Sequence, residues 1–187
     1  MNLWEKRRKF FDNLATIYKD EAARSQEDWD LFFIGLCNYT ATKSKDRSTK
    51  LGSVIVGQNN EVLSIGFNGF PRGVDDNKEK FHLRPTKYLV TEHAERNAIF
   101  NAARHGTRLE GSKLYIPFDP TPCSRCSRGI IQSGISEIIG TQIKFTGKGK
   151  DWEEDLKIAD EMLRDVNMKR RVVIVEDELD IRILNGV

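Results

Sequence analysis

The sequence predicts an α/β fold in one domain over residues 1–187. Through the second half of the chain, short apolar runs of strand length alternate with longer stretches of helical periodicity. Such alternation favours layers of helices on a sheet in which some strands pair in parallel. A length of 187 residues is also sufficient for one domain with a substantial buried core.

Helical periodicity opens the chain. Apolar residues at helical spacing over 3–20 predict a helical extension within residues 1–25. Ser25 is the predicted N-cap of the next helix, with Asp28 at the third helical position. The apolar side of that helix is predicted to comprise Trp29, Phe32, Phe33, Leu36 and Cys37.

A β-hairpin is predicted next. Two apolar runs, 51–56 and 62–67, flank the turn-forming residues 57–60. Residues 68–90 are rich in Gly, Pro, Asp and charged side chains, and they predict a long loop. A loop of that length in a compact domain usually has a function.

The second half supplies the alternating elements. Gly106 and Gly134 are positioned to end two of its helices. Residues 176–187 are predicted to be an edge strand or a tail. The predicted elements are a helix over 91–104, a strand over 114–117, a helix over 123–132, a strand over 135–139, a helix over 152–165 and a strand over 171–175.

Charge and cysteine content narrow the class of protein. The chain has 30 Lys and Arg against 28 Asp and Glu, and this near balance disfavours a nucleic-acid-binding surface. No apolar run approaches the ~18 residues of a membrane span, and the N-terminus lacks the apolar segment of a signal peptide. Three cysteines form a poor disulfide framework. We therefore expect a cytoplasmic protein with reduced cysteines and no membrane or nucleic-acid partner.

Two short motifs carry the chemistry. His93-Ala94-Glu95 opens one predicted helix, and Pro122-Cys123-Ser124-Arg125-Cys126 opens another, with Cys123 28 residues after Glu95. A His-x-Glu followed by Pro-Cys-x-x-Cys is the signature of zinc-dependent base deaminases. Zinc prefers tetrahedral nitrogen and sulfur ligands, so His93, Cys123 and Cys126 are the predicted ligands.

The predicted site is catalytic because no fourth ligand is evident. Cys37 is an isolated thiol on an apolar helix face and is predicted to be a core residue, while His82 and His105 are predicted to lie on the surface. Three protein ligands leave one position for water, whose pKa zinc lowers towards about 7. Glu95 can face that position without binding the metal, and it is the predicted proton carrier between water, ring N3 and the departing ammonia.

A Cys-x-x-Cys pair alone is also typical of structural zinc sites and of redox pairs. The upstream His93 and Glu95, with Pro122 before the first cysteine, favour the catalytic interpretation. A non-enzymatic zinc module remains the alternative from another class of protein, and it would have four filled metal positions and no role for Glu95.

From about residue 29 to residue 140 the chain resembles the deoxycytidylate deaminase family of the cytidine-deaminase-like superfamily. The zinc-site residues are shared across that superfamily, whereas the stretch 66–73 is similar to the deoxycytidylate branch. The resemblance implies a three-layer α/β/α fold around a five-stranded mixed sheet. The segments that carry it are 44–46, 50–52, 66–73, 75–76, 93–99 and 121–126.

The same resemblance implies an activity and an assembly. The activity is the zinc-dependent, hydrolytic conversion of dCMP to dUMP, with one catalytic zinc ion in each subunit. The assembly is a homo-oligomer, with a hexamer favoured. The rivals within this chemistry are a tRNA adenosine deaminase and a deaminase of another cytosine-type nucleoside or nucleotide. The near-neutral charge and the loop over 68–90 count against the tRNA enzyme.

Substrate residues are implied in the same way. Asn68 is expected to contact the sugar and the amide of Ala94 the base carbonyl, and Asn97 is a further candidate. Ser44 and Lys45 are expected to help to hold the phosphate. Several basic residues lie close together in the loop over 43–50, as phosphate binding requires. A solvent-exposed basic loop with no ligand is an equally good interpretation of Lys45.

The resemblance also implies that nucleotides regulate the activity. Many members of the family are activated by dCTP and inhibited by dTTP, which implies a triphosphate effector accompanied by Mg²⁺. The residues expected to contact an effector or another subunit are Gly69, Pro71, Arg72, Asp75, Asp76 and Arg104.

Overall fold

A computed structural model describes residues 25–144 and 150–175. The helix predicted over 3–20 and the edge strand or tail predicted over 176–187 lie outside these ranges and stay predictions. None of the described helices is long and apolar enough to cross a membrane. The helices are α1 (Gln26–Ala41), α2 (Glu79–His82), α3 (Lys87–Val90), α4 (Ala94–His105), α5 (Ser124–Gln132) and α6 (Lys150–Asp165). The strands are β1 (Gly52–Val56), β2 (Val62–Phe67), β3 (Lys113–Tyr115), β4 (Glu137–Thr141) and β5 (Lys169–Val173).

The five strands form one mixed sheet in the order β2-β1-β3-β4-β5. β1 is antiparallel to both β2 and β3, which confirms the predicted hairpin. β3, β4 and β5 run parallel to one another, which confirms the parallel pairing expected from alternating helices and strands.

Helices cover both faces of the sheet. Successive strand residues point to opposite faces, so Val54 and Val56 pack with α1 while Ile55 packs with α4, α5 and α6. All five residues of β1 are buried, as a strand covered on both faces requires. The three-layer α/β/α prediction is confirmed.

The capping box predicted for α1 is confirmed. The amide of Asp28 donates to the hydroxyl of Ser25, and the Asp28 carboxylate accepts from the Ser25 amide at 2.7 Å. The predicted apolar face was wrong at Phe32, which is 40% exposed. Phe33 and Cys37 face the sheet as predicted, together with Ile34, which the prediction missed. Phe32 points away because each residue of a helix turns the side chain by about 100°.

Several predicted boundaries shift. The segment over 68–90 is not all loop, since it contains α2 and α3, which are too short to show helical periodicity. α4 begins at Ala94 rather than at residue 91, because Glu92 pairs with Gly69 in an isolated antiparallel bridge. β5 begins two residues before its prediction, since its first three residues are charged and gave no apolar signal.

Candidate active site

Three helix-terminal residues converge on one point. His93 is the N-cap of α4, Cys123 is the N-cap of α5, and Cys126 lies in the first turn of α5. Their ligand atoms all lie within 4.8 Å of one another. Nδ1 of His93 is 3.4 Å from the Sγ atom of each cysteine. The structure therefore brings together the three residues that the sequence singled out as metal ligands.

The donor set fits zinc. With Zn–S bonds of about 2.3 Å and Zn–N bonds of about 2.0–2.1 Å, tetrahedral coordination separates sulfur from nitrogen by about 3.5 Å. Both observed separations are 3.4 Å, so a zinc ion fits with little rearrangement. Cys37 lies elsewhere, fully buried with its thiol donating to the carbonyl of Tyr115, which confirms its predicted place in the core.

Gly66 brings α4 close to the sheet. A Cβ atom at this glycine would lie 2.2 Å from the carbonyl oxygen of Ala94 and 2.3 Å from the amide nitrogen of Ala98. Only a residue without a side chain allows that approach. The first turn of α4, which follows His93 and contains Glu95, is thereby held directly over β2.

Glu95 is buried beside the converging ligands and is 2% exposed. Burial raises the pKa of its carboxyl above the ordinary value, because a charge is costly away from water. The nearby His93 and a hydrogen bond with Cys126 act in the opposite direction and do not outweigh burial. A carboxyl whose pKa is raised in this way is suited to accepting a proton and donating it again.

Mutual contacts and burial shift the pKa values of all three predicted metal ligands. A hydrogen bond with Cys126 and the neighbouring His93 lower the pKa of Cys123 to about 4. Burial acts to lower the pKa of His93, but its hydrogen bond with Cys123 and the charge of Glu95 raise it to about 9. The hydrogen bond with Cys123 and burial raise the pKa of Cys126. Metal binding therefore displaces protons from this cluster, since zinc takes thiolate and neutral imidazole ligands.

A cavity adjoins the segment that leads into His93. Its wall includes Thr91 and Gly69, and the backbone of Gly69 pairs with Glu92, the residue before His93. The cations and aromatic rings that line it are Lys45, Arg47, Lys87, His82 and Phe70. Two carboxylates also line it, and they pair with two of the cations: Asp76 with Lys45, and Asp46 with Lys87.

His82 differs from its prediction. It is half-buried rather than on the surface, and its Nε2 lies 2.7 Å from the carbonyl oxygen of Asp76. Its ring lies against Phe70, with centroids 4.9 Å apart. The short helix α2 turns it inward, a placement that no local pattern indicated. His105 is exposed, as predicted.

Lys87 is a site residue that the sequence did not reveal. Its Nζ atom donates to Asp46 Oδ1 at 2.7 Å and also to the hydroxyl of Ser48. Burial acts to raise the pKa of Asp46, but Lys87 and the amides of Ser48 and Thr49 hold it below the usual range. An isolated lysine in a charged loop carries no sequence signal, and only the fold brings it across to Asp46.

Two of the predicted substrate residues, Ser44 and Asn68, make hydrogen bonds within the protein. The hydroxyl of Ser44 donates to the carbonyl of Asn68 at 2.7 Å. The Asn68 side chain accepts from the amide of Leu51 and donates to the carbonyl of Thr49, both at 2.8 Å. Asn68 therefore shapes the loop that carries Lys45, which lines the cavity.

Two other substrate candidates lie on α4. Ala94 is buried in its first turn. Asn97 donates from its side chain to the carbonyl of Phe67 at 2.8 Å, so it ties α4 to the outer strand of the sheet.

The candidate effector residues lie on the rim of the cavity and beyond it. Asp76 pairs with Lys45, and Gly69 lines the cavity. Asp75 accepts from the amide of Asn77 at 2.9 Å. The other candidates, Pro71, Arg72 and Arg104, are exposed, and Arg72 donates to Asn101 at 2.7 Å.

Comparison with known proteins agrees with the geometry. Residues 27–141 match the family described as the cytidine and deoxycytidylate deaminase zinc-binding region. A probable deoxycytidylate deaminase of Drosophila melanogaster is 35% identical over 64% of this chain and 62% of its own length. The human deoxycytidylate deaminase is 33% identical over 63% of this chain and 67% of its own length. The chain thus spans about two thirds of the relatives that it matches.

A solved structure shares the fold of this chain. A dCMP deaminase from the cyanophage S-TIM5, in its apo form, superposes with a TM-score of 0.60 at 21% identity, covering 80% of this chain and 99% of that chain. This likeness confirms the predicted cytidine-deaminase-like fold. The family match covers more than half of the chain and includes both motifs that form the metal cluster. The chain is a member of the cytidine and deoxycytidylate deaminase zinc-binding family.

Proposed function

We propose that this chain is a single-domain, zinc-dependent enzyme that converts dCMP and water to dUMP and ammonia. The observation that carries the proposal is the convergence of His93, Cys123 and Cys126 beside the buried carboxyl of Glu95. An open three-ligand site next to a buried carboxyl suits hydrolysis better than a purely structural role, which uses four protein ligands.

His93, Cys123 and Cys126 would hold one zinc ion. When bound, zinc acts as a Lewis acid that lowers the pKa of a water molecule towards about 7. The N-terminus of α5 positions both cysteines, and the N-terminus of α4 positions His93. The family description itself names a zinc-binding region, which supports this choice of metal.

Glu95 moves the proton. It accepts the first proton of the attacking water and transfers it to N3 of the cytosine ring. It then accepts the second proton of that water from the new hydroxyl at C4 and delivers it to the amine, which leaves C4 as ammonia. The atoms balance, since water adds across the C–N bond and ammonia departs. Burial keeps Glu95 away from bulk solvent, which limits loss of the proton during the cycle.

The adjoining cavity supports a nucleotide rather than a nucleoside. Lys45 and Arg47 are the exposed cations on its wall, and they would contact a 5′-phosphate, whereas the buried Lys87 is paired with Asp46. The hydroxyl of Thr91 is buried with no partner among the described residues. Asn68 and the amide of Ala94 are the proposed contacts to sugar and base, with Ser44 and Asn97 in support. The fly and human relatives are named for deoxycytidylate, which agrees with this substrate.

The test is a spectrophotometric assay of the purified protein with dCMP, dCTP, deoxycytidine and a tRNA anticodon stem-loop. We expect turnover of dCMP that is lost on chelation and restored by zinc. Turnover of deoxycytidine at the same efficiency would contradict the role of the cavity. Activity only on the RNA would replace the proposal with a tRNA adenosine deaminase.

The proposal extends to regulation in a cytoplasmic homo-oligomer, with a hexamer favoured. The loop that carries Gly69, Pro71, Arg72, Asp75 and Asp76 borders the cavity and is the proposed site of dCTP or dTTP with Mg²⁺. Arg104 is a proposed contact to another subunit or to the effector. Initial rates against dCMP concentration test regulation, because a hyperbolic curve that neither triphosphate moves would contradict it.

A further inference from the structure

The helix that carries both cysteine ligands is capped from another part of the chain. Asp155, on α6, accepts a hydrogen bond from the amide of Ser124 at 2.9 Å and another from the Ser124 hydroxyl. Ser124 is the first residue of α5 and directly follows Cys123. The first amides of a helix have no partner within it, so Asp155 satisfies a donor that the helix itself cannot.

The identity of the N-cap explains why an outside acceptor is needed. N-cap positions usually hold Ser, Thr, Asp or Asn, whose oxygen accepts from the first turn. Here the N-cap is Cys123, which makes no side-chain capping bond. Its sulfur is a metal ligand in the proposed site. A carboxylate from 31 residues further along the chain takes over the capping role.

A second contact holds the other side of Cys123. Arg170, on β5, donates to the hydroxyl of Thr121 at 3.1 Å and to Asp160 of α6 at 2.7 Å. Thr121 is two residues before Cys123, and Ser124 is one residue after it. The unit made of α6 and β5 therefore holds the metal-binding loop on both sides of its first cysteine.

We propose that Asp155 is a positioning residue for the metal centre, acting through Ser124 on the sulfur atoms of Cys123 and Cys126. The inference rests on the proposed zinc site. If the first turn of α5 frays, the two cysteines no longer share one metal geometry. Partners that orient metal ligands typically contribute about 10- to 100-fold to metal affinity or activity. Asp155 lies beyond residues 27–141, so this support comes from outside the family's matched segment.

The test compares Asp155→Ala with Glu154→Ala, its matched control. Glu154 is the preceding residue of the same helix, carries the same charge and is exposed. Zinc dissociation constants come from competition with a chromophoric chelator, and the visible spectrum of the Co²⁺-substituted protein reports coordination geometry. For Asp155→Ala we expect affinity to fall about 10- to 100-fold with altered cobalt bands, because the loop is no longer oriented. Glu154→Ala should match the wild type in both measurements.

Ser124→Ala provides a second, milder probe. It removes the hydroxyl bond and keeps the amide bond, so its loss of affinity should be smaller than that of Asp155→Ala. The double variant, Asp155→Ala with Ser124→Ala, should bind zinc no more weakly than Asp155→Ala, since both changes act on one contact.

Three results would overturn the positioning role. The first is an unchanged zinc dissociation constant in Asp155→Ala while the wild type binds zinc. The second is additive losses in the double variant. The third is loss of the helical circular dichroism signal of Asp155→Ala at saturating zinc, which would make Asp155 a general support of the fold. Absence of zinc binding by the wild type would instead contradict the proposed metal centre.

Discussion

The ammonium group of Lys87 lies 2.7 Å from the carboxylate of Asp46, and both side chains are almost fully withdrawn from solvent. The pair joins the loop after α1, which contains Asp46, to the short helix α3, which contains Lys87 and precedes His93. Both residues line the cavity that adjoins the segment leading into His93. A buried charge is stable only with a partner, so each residue of the pair depends on the other.

Lys87→Met should destabilise the protein strongly. Removing one partner of a buried ion pair typically costs about 3–5 kcal/mol, because the remaining charge stays buried without compensation. Urea unfolding at saturating zinc measures this loss. The double variant Asp46→Asn with Lys87→Met should recover much of it. Lys43→Met, an exposed lysine near the same loop, is the control and should leave the free energy of unfolding nearly unchanged.

The effect of Lys87→Met should depend on pH. In the wild type the folded-state pKa of Asp46 lies below its ordinary value, so the pair's contribution is complete above about pH 4 and is lost as pH falls through the folded pKa. Lys87→Met removes the side-chain contact that lowers the pKa of Asp46, so this pKa should be higher in the variant than in the wild type, and protonation in acid should cost the variant less stability. The difference in unfolding free energy between the two proteins should narrow from pH 7 towards acid. A difference that stays constant or widens would contradict the pairing.

Glu95→Gln should abolish turnover and leave the metal in place. Glutamine keeps the shape of the side chain but cannot carry the proton, and loss of general acid–base catalysis typically lowers the rate by about 10²- to 10⁴-fold. Steady-state kinetics with dCMP and metal analysis of the same preparation check both parts. Wild-type turnover in this variant would remove Glu95 from the mechanism.

Gly66→Ala should disturb the approach of α4 to the sheet. The added Cβ atom would meet the carbonyl oxygen of Ala94 at 2.2 Å, a distance that forces the helix outward. Overpacking of this kind costs about 1–3 kcal/mol or more. Gly129→Ala is the contrast, because its nearest neighbour would lie 3.5 Å away and alanine favours a helix by about 0.5–1 kcal/mol. Thermal unfolding of both variants separates the two outcomes.

The sequence by itself determined the parts that depend on local pattern. The capping box of α1, the β1–β2 hairpin and the alternating second half follow from short-range periodicity and turn chemistry. The candidate site residues could also be predicted from the sequence: His93, Glu95, Cys123 and Cys126. They belong to two short motifs at helix N-termini, where local geometry fixes the positions of the predicted ligands and the carboxyl group.

Only the tertiary structure decided which distant side chains contact one another. Lys87 reaches Asp46 across 41 residues, and Asp155 reaches Ser124 across 31. The first three residues of β5 are charged, yet Arg170 and Arg171 lie in a strand because Asp160, Asp30 and Glu137 pair with them. Such contacts join chain segments whose spacing carries no pattern, so they arise only when the sheet order and helix packing bring those segments together.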